Sequence, residues 1–206
     1  LALSNNTIYV SDATRGQILA FSRTTKAYSK IIVQNGGSDG LLSSPQDIEL
    51  HDGKYYVSDS SKGLIFIYDS NFVFLNKTIG RGKGDVTLSS PRGIDFDSDR
   101  LYVADATANR VVVFSLDGYP VDVLDSSTEW GNLSYPEDVV VYNGTLFVAD
   151  TGNKLVKAFK ITQTAGDLSV QQMIAAANTT CASLSSMQAV ASSLNFSYSS
   201  VSYNDG

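Results

Sequence analysis

The sequence has one histidine and one cysteine among its 206 residues. Sites that need a second histidine or cysteine are therefore excluded, among them a histidine-rich zinc centre and an internal disulfide. Basic residues are also few, since 15 lysines and arginines face 21 aspartates and glutamates, for a net charge of −6. A phosphate backbone attracts the opposite charge, so a nucleic-acid partner is not expected. No apolar run approaches the ~18 residues of a membrane span, and none is predicted in this segment.

Apolar residues, by contrast, are plentiful, at 43% hydrophobic and 10% aromatic. This composition supports a packed core and argues against intrinsic disorder. The chain begins at Leu1, and the signal-peptide pattern of charge, apolar stretch and small residues does not follow. We therefore expect a processed or trimmed piece of a longer protein.

An internal repeat organises the chain. Four segments align without gaps and end at aspartates spaced 47, 46 and 45 residues apart: Ile8–Asp12, Tyr55–Asp59, Leu101–Asp105 and Leu146–Asp150. Nine positions after each aspartate comes an aromatic residue, and six positions after it comes a β-branched aliphatic residue. In the last three units a proline precedes the first apolar run, at Pro45, Pro91 and Pro136. Offsets that stay constant over four copies establish a repeat.

Each unit is predicted to contain four β-strands, because short runs of Val, Ile, Tyr and Phe are separated by turn sequences such as Asn143-Gly144. The first strand follows the proline, the second ends at the aspartate and the third ends at the aromatic residue. The fourth strand is predicted near 28–33, 72–79, 119–124 and 167–174. Four antiparallel strands every ~45 residues are typical of β-propeller blades, which stack to bury both faces.

The repeated pattern resembles a known one. Pro-x-[Gly/Asp]-[Ile/Val], a short turn, Tyr-Val-[Ala/Ser]-Asp and [Ile/Val]-x-x-[Phe/Tyr] resemble the NHL repeat, most closely in Leu101–Leu116 and Leu146–Lys160. The resemblance covers residues 1–160. It implies an all-β, NHL-type β-propeller with four clear four-stranded blades, approximately 1–44, 45–90, 91–135 and 136–176.

The Ser/Ala-rich segment 161–206 leaves two interpretations open. Leu184–Val190 aligns with Leu42–Ile48, and Asn195–Tyr198 reads as a following strand, which favours a degenerate fifth blade. The same segment has apolar residues at helical spacing, which favours a helical cap. NHL propellers usually close with six blades, so the resemblance implies part of a larger ring or assembly. The missing blades then lie outside this fragment, or the ring closes with few blades, or another chain covers the open face. The first explanation is the most economical.

Acceptor sites for N-glycosylation are in excess. The Asn-x-Ser/Thr pattern occurs six times, where chance gives roughly two to three: at Asn5, Asn76, Asn132, Asn143, Asn178 and Asn195. Asn5 and Asn143 both lie seven residues before their unit's aspartate, at equivalent hairpin tips. We therefore expect an extracellular glycoprotein, secreted or at the cell surface. In that setting the single Cys181 either forms an intermolecular disulfide or is a buried thiol.

Two sets of carboxylates are candidates for chemistry. A structural role is predicted for the aspartate that ends the second strand of each unit, because a carboxylate there accepts hydrogen bonds from backbone N–H groups. Five acidic residues lie on the first strands, which surround the channel of a propeller: Asp47, Glu49, Asp95, Glu137 and Asp138. Converging oxygens bind Ca²⁺, and calcium-dependent lactonase-like propellers resemble this fold. Their ligand pattern is not matched, so solvated acidic loop ends are the favoured interpretation.

These observations predict a non-enzymatic module for protein–protein interaction or for surface or filament assembly. Its expected partners are other proteins or further copies of itself, and it carries N-linked glycans. Neither a catalytic residue nor a cofactor is assigned. The alternative is a calcium-dependent lactonase- or esterase-like hydrolase that uses the acidic set as its metal site. A propeller that binds carbohydrate or another ligand is not separable from the first prediction by sequence.

Overall fold

The structure is a computed structural model, and it describes residues 1–36, 38, 40–81, 84, 86–125, 132–162 and the backbone of 197–201. Sixteen strands in these residues form four antiparallel sheets of four strands each. In every sheet the strands are paired in the order in which they occur along the chain. This is the meander expected of stacked blades. The all-β, four-sheet prediction for these residues is confirmed.

The strands are numbered in chain order. Sheet 1 contains β1 (Ala2–Ser4), β2 (Thr7–Asp12), β3 (Gln17–Ser22) and β4 (Tyr28–Val33). Sheet 2 contains β5 (Pro45–His51), β6 (Lys54–Asp59), β7 (Leu64–Tyr68) and β8 (Phe74–Ile79). Sheet 3 contains β9 (Pro91–Phe96), β10 (Arg100–Asp105), β11 (Arg110–Ser115) and β12 (Pro120–Leu124). Sheet 4 contains β13 (Pro136–Tyr142), β14 (Thr145–Asp150), β15 (Leu155–Thr162) and β16 (Ser197–Val201).

The fourth strands test the repeat most directly. Those predicted near 28–33, 72–79 and 119–124 are confirmed as β4, β8 and β12. The strand predicted near 167–174 lies outside the described residues. The strand that pairs with β15 is β16, with Tyr198 opposite Ile161. Tyr198 therefore belongs to the fourth sheet, and its assignment to a fifth blade is wrong.

Tight turns close the hairpins between first and second strands. Asp52 and Gly53 have φ values of 50° and 72°, and Asn143 and Gly144 have 49° and 70°. Positive φ at both central residues matches the right-handed twist of the flanking strands. Asn, Asp and Gly tolerate this conformation, which explains the Asp-Gly and Asn-Gly pairs in the sequence. In the described part of the chain the only helices are two short 3₁₀ turns, Ala106–Ala108 and Thr151–Asn153, and none could cross a membrane.

The core consists of three apolar layers, each between two consecutive sheets. Side chains alternate across each strand, so one face of a sheet contacts the preceding sheet and the other contacts the following sheet. We call these the rear face and the forward face. In sheet 3 the rear face is formed by Leu101, Val103, Val112 and Phe114. Its forward face is formed by Tyr102, Ala104, Val111 and Val113.

The first strands of the sheets lie side by side. β9 contacts both β5 and β13, and β5 contacts β1 and β2. This is where a propeller has its central channel. One close approach depends on glycine: a Cβ on Gly93 would overlap Oδ1 of Asp138 and lie 2.6 Å from its Cα. Gly93 is the counterpart in the repeat of Asp47 and Asp138. A side chain does not fit at this position of β9, because β13 occupies the space beside it.

Candidate functional site

The aspartate that ends the second strand ties its sheet to the loop before the proline. Oδ1 of Asp105 accepts the backbone N–H groups of Ser89 and Ser90 at 2.9 and 2.7 Å. Asp59 accepts the corresponding pair, and Asp150 accepts one such bond. All three aspartates are buried. The predicted structural role is therefore confirmed for these residues.

In sheets 3 and 4 a basic side chain also pairs with the aspartate that ends the second strand. Arg110 contacts Oδ2 of Asp105 at 2.9 Å, and Lys157 contacts Oδ2 of Asp150 at 2.9 Å. Asp12 differs, because it is partly exposed and bonds to the backbone N–H and guanidinium of Arg15, three residues along. The backbone N–H of Arg15 is the main reason why the pKa of Asp12 is lowered. None of these aspartates has the free oxygens that a metal site needs.

Two carboxylates on the first strands connect neighbouring sheets. Oδ2 of Asp47 accepts the backbone N–H of Ile94 at 3.1 Å, which joins sheet 2 to sheet 3. Oδ2 of Asp95 accepts the backbone N–H of Val141 at 2.6 Å, which joins sheet 3 to sheet 4. In each case Oδ1 accepts the N–H of the residue that follows the aspartate. We call this a first-strand link.

Asp138 has half of such a link. It occupies the position of Asp47 in the repeat, two residues after the proline, and its Oδ1 accepts the N–H of Val139 at 2.9 Å. In the described part of the chain, no donor bonds to its Oδ2. Burial raises the pKa of Asp138, and the carboxylates of Asp47 and Asp95 raise it further. Asp138 is an exposed residue of β13, and among the described residues it lacks the second N–H donor that Asp47 has.

Glu49 lies in the same acidic group. Burial raises the pKa of Glu49 to about 7, and the carboxylates of Asp47 and Asp95 add to the effect. The proximity of like charges shows that the structure brings four of the five predicted acidic residues together. Glu137 is directed elsewhere: it forms an ion pair with Arg92 at 3.1 Å and accepts a hydrogen bond from Thr151.

The alternative calcium site on these side chains stays a prediction, and two of its carboxylates are engaged by the backbone. Asp47 and Asp95 use both oxygens to accept backbone N–H groups, so their lone pairs are directed at the chain. A search of the described residues finds no group of three or more acidic, histidine or cysteine side chains that could hold a metal ion. Asp47 and Asp95 connect neighbouring sheets, and no catalytic step is derived from them.

The glycosylation sequons fall into two groups. Asn5, Asn132 and Asn143 are exposed, and Asn5 and Asn143 lie in the hairpin turns at φ values of 45° and 49°. Asn76 is in β8, and its side chain is outside the described part. Asn178, Asn195 and Cys181 also lie outside the described residues. Glycosylation and an intermolecular disulfide remain predictions.

The forward face of sheet 4 is an uncovered blade face. Its apolar side chains are exposed, with 37% of Phe147, 71% of Val156, 49% of Val140 and 73% of Tyr142 accessible to solvent. The counterparts of Phe147 and Val156 in sheet 3 are Tyr102 and Val111, both fully buried. We call this surface the open forward face. The alignment of Val156 with Val111 is visible in the sequence, but the loss of burial is visible only in the structure.

The rear face of sheet 1 is the corresponding surface at the other end of the stack. By alternation it carries Ile8, Val10, Leu19 and Phe21, with Leu3 on the first strand. Leu3 is 49% exposed, and the others are partly buried. Their sheet 3 counterparts are the fully buried rear-face residues. Both ends of the stack therefore present apolar sheet faces to solvent.

Comparison with known proteins identifies the architecture. A family model described as a 6-bladed beta-propeller, DUF5128, matches residues 37–199. No curated protein matches the sequence. Solved structures with the same fold include a streptogramin B lyase, with 14% identity over 77% of this chain and 48% of that chain and a TM-score of 0.57. Kuenenia stuttgartiensis hydrazine synthase has 16% identity over 79% and 40%, with a TM-score of 0.53.

A third similar structure is the computationally designed Ika4 protein, with 13% identity over 78% of this chain and 88% of that chain and a TM-score of 0.53. The chain spans most of Ika4 but less than half the length of the lyase and the synthase. Identities this low show a shared fold and no shared activity. The matching family has six blades, which is more than the four clear blades and the possible fifth expected from this sequence.

Proposed function

Because this chain belongs to the 6-bladed beta-propeller family DUF5128, we propose that it is a non-enzymatic protein-interaction module built from NHL-type blades. The observation that carries the proposal is the open forward face. Exposed apolar sheet surface of this kind marks a site of protein contact, because soluble proteins rarely leave such patches uncovered. The linking role of Asp47 and Asp95 leaves these two carboxylates engaged in the fold.

We further propose that the module works outside the cell and carries N-linked glycans. Three sequons, at Asn5, Asn132 and Asn143, have exposed side chains on turns or loops. A glycan at these positions would extend into solvent without displacing a core residue. None of the three lies on the open forward face, so glycans and a protein partner are compatible.

Photocrosslinking tests the interaction function. Full-length chain is produced by secreting eukaryotic cells with a photoreactive amino acid at position 156, on the open forward face. The matched control places the same amino acid at position 61, which is exposed in the turn after Asp59. Illumination is expected to give one discrete adduct from position 156 and none from position 61. No adduct, or the same adducts from both positions, would refute the proposed function.

Glycosidase treatment tests the extracellular proposal on the same material. Removal of N-glycans is expected to lower the mass by several glycan units, and Asn5→Gln and Asn143→Gln are each expected to remove one unit. Secreted protein with the mass of the bare polypeptide would sink the glycoprotein proposal while leaving the interaction proposal in place.

A further inference from the structure

The forward face of sheet 1 has a small residue where the next two sheets have large ones. Tyr9, Ala20 and Lys30 are cross-strand neighbours on β2, β3 and β4. At the position of Ala20 the repeat has Ile67 in sheet 2 and Val113 in sheet 3, and both are buried against the following sheet. An alanine side chain fills less of the layer, so space remains between sheets 1 and 2.

Phe72 forms the opposite wall of this space from a strained turn. Phe72 has a φ of 60° in the turn between β7 and β8, and Gly118 has a φ of 83° in the corresponding turn of sheet 3. In both turns the N–H of this residue donates to the carbonyl oxygen three residues earlier. Bulky residues rarely adopt this backbone conformation, and it persists only where surrounding contacts hold it. The Phe72 ring is held by stacking on Tyr55, with centroids 4.1 Å apart and an interplanar angle of 15°.

A cavity of about 420 Å³ lies between these two walls. This volume is in the range of small-molecule sites, about 300–1,000 Å³. Tyr9 and Phe72 line the cavity, with ring centroids 4.7 Å apart. Hydroxyl and amide groups line it as well, from Asn6, Thr7, Ser22, Ser70 and Asn71. Aromatic rings beside hydroxyl and amide groups suit a sugar, because a pyranose ring has an apolar C–H face and polar hydroxyl edges.

The charges around the cavity favour an acidic ligand. Among the described residues that line it none is acidic, and Lys30 supplies a positive charge. Within the described part of the chain, Lys30 forms no ion pair. Asp69, next to the lining residue Ser70, accepts the backbone N–H groups of Asn71 and Val73 through Oδ1. Residues 1–36 contain four basic residues and one acidic residue, whereas the rest of the chain contains 11 and 20.

We propose that this cavity binds an acidic saccharide, a function that goes beyond the interaction proposed for the open forward face. The sugar ring packs against Phe72, and its hydroxyls bond to the surrounding amide and hydroxyl side chains. The carboxylate of the sugar pairs with Lys30, which makes an acidic sugar preferred over a neutral one. Ala20 provides the space for the ring, and the corresponding space in sheets 2 and 3 is filled by Ile67 and Val113.

Isothermal titration calorimetry of the secreted full-length chain tests the site, with digalacturonate as the acidic probe and galactobiose as its neutral counterpart. Digalacturonate is expected to bind with a Kd of about 1 mM or tighter, and galactobiose more weakly. Lys30→Gln should weaken digalacturonate binding by about tenfold, because a charge-assisted hydrogen bond is lost, and change galactobiose binding by less than about twofold. Lys160→Gln makes the same change at an exposed residue of sheet 4 and should alter neither.

A second variant tests the location. Ala20→Ile introduces the residue that sheet 2 has at this position, so it should fill the cavity and abolish binding of both sugars. Circular dichroism establishes whether this variant is folded. If it is not, Lys30→Gln and its control test the site without it.

Each other outcome overturns a defined part of the proposal. Absence of digalacturonate binding overturns the site itself. Equal binding of both sugars, with no effect of Lys30→Gln, overturns the acidic class. Binding that persists in folded Ala20→Ile overturns the location, and tighter binding of adenosine 5′-monophosphate overturns a saccharide as the ligand. Binding that appears only in Asn5→Gln overturns an external ligand in favour of the chain's own glycan, since Asn5 precedes the lining residue Asn6.

Discussion

Sheets 3 and 4 have almost the same strands and opposite surroundings. β10 and β14 share the pattern Leu-[Tyr/Phe]-Val-Ala-Asp, and both pair with a third strand in the same register. Yet every residue of β10 is buried, whereas β14 alternates between buried and accessible residues. The rear half of β14 contacts sheet 3, and the forward half faces solvent. The difference shows that burial here is a property of the stack, since each sheet obtains half of its core from the next.

The comparison of sheets 3 and 4 also separates stabilisation within one sheet from stabilisation between neighbouring sheets. In both sheets the hairpin of the second and third strands pairs residue for residue, so this pairing does not depend on a neighbouring sheet. The free energy from the forward face depends on a neighbour. Substitutions at matched forward-face positions should therefore have very different effects on the full chain, and the differences should follow burial rather than residue type.

The largest effect is expected at Val111, compared with Val156. Val111→Asp places a charge inside the layer between sheets 3 and 4, which should lower the free energy of unfolding by about 4 kcal/mol or more. Val156→Asp places the same charge in solvent and should lower it by less than about 0.5 kcal/mol. Urea denaturation followed by circular dichroism measures both. Equal losses would show that the open forward face is covered in the full chain.

A second comparison uses Tyr102 and Phe147, the aromatic residues at equivalent positions of β10 and β14. Tyr102 is fully buried, and its hydroxyl donates to Oδ2 of Asp97 at 2.7 Å. Tyr102→Ala should lower the free energy of unfolding by about 3–5 kcal/mol, because it leaves a cavity and an unmet hydrogen bond. Phe147→Ala should lower it by about 1 kcal/mol, because much of the ring is already in water. Tyr102→Phe separates the two causes, and a loss above about 2 kcal/mol in that variant would assign most of the effect to the hydroxyl.

The sequence predicts the parts of these sheets that depend on local order. Four repeats with constant offsets predict twelve strands in the first three sheets and the hydrogen-bonding role of the strand-end aspartates. Asp105 is an example, since the turn chemistry that makes it an acceptor is local. A strand near Tyr198 is predicted, but its place as β16 in the fourth sheet is not, because the fourth strand varies in sequence and its distance along the chain changes between units.

The role of the first-strand carboxylates depends on contacts between units. Asp47 and Asp138 have the same position and residue type, and an acidic cluster near the channel is what the sequence predicts. That their oxygens accept backbone N–H groups depends on the spacing of neighbouring first strands, which has no sequence signature. Gly93 shows the same limit, because the need for glycine arises from Asp138, 45 residues further along.

Gly93 therefore offers a third, smaller test of how closely sheets 3 and 4 approach. Gly93→Ala should lower the free energy of unfolding by about 1–3 kcal/mol, because the new methyl group overlaps the side chain of Asp138. Adding Asp138→Ala should restore only part of the loss, because it removes the overlap with Oδ1 but leaves the new methyl group 2.6 Å from the Cα of residue 138. Additive losses in the double variant would show that the approach to this Cα accounts for the whole cost. Chemical denaturation of the two single variants and the double variant completes the cycle.

The smallest effect is expected at Glu49 on β5, whose counterpart in the repeat is Val140 on β13. In the folded chain the pKa of Glu49 rises from 4.5 to about 7, so between these pH values the folded state holds a proton that the unfolded state has released. The stability that this proton supports is fully present below pH 4.5 and is lost as the pH rises through about 7. After allowance for solvent screening, the loss should be about 1 kcal/mol, or about 2–4 °C in Tm. Glu49→Gln lacks the titrating group, so thermal melts of the two proteins should agree at pH 4.5, and the variant should melt higher at pH 8. If the Tm of the variant and the Tm of the native chain change identically with pH, Glu49 is solvated in the folded chain. The first strand of sheet 2 would then be as exposed at Glu49 as the first strand of sheet 4 is at Val140.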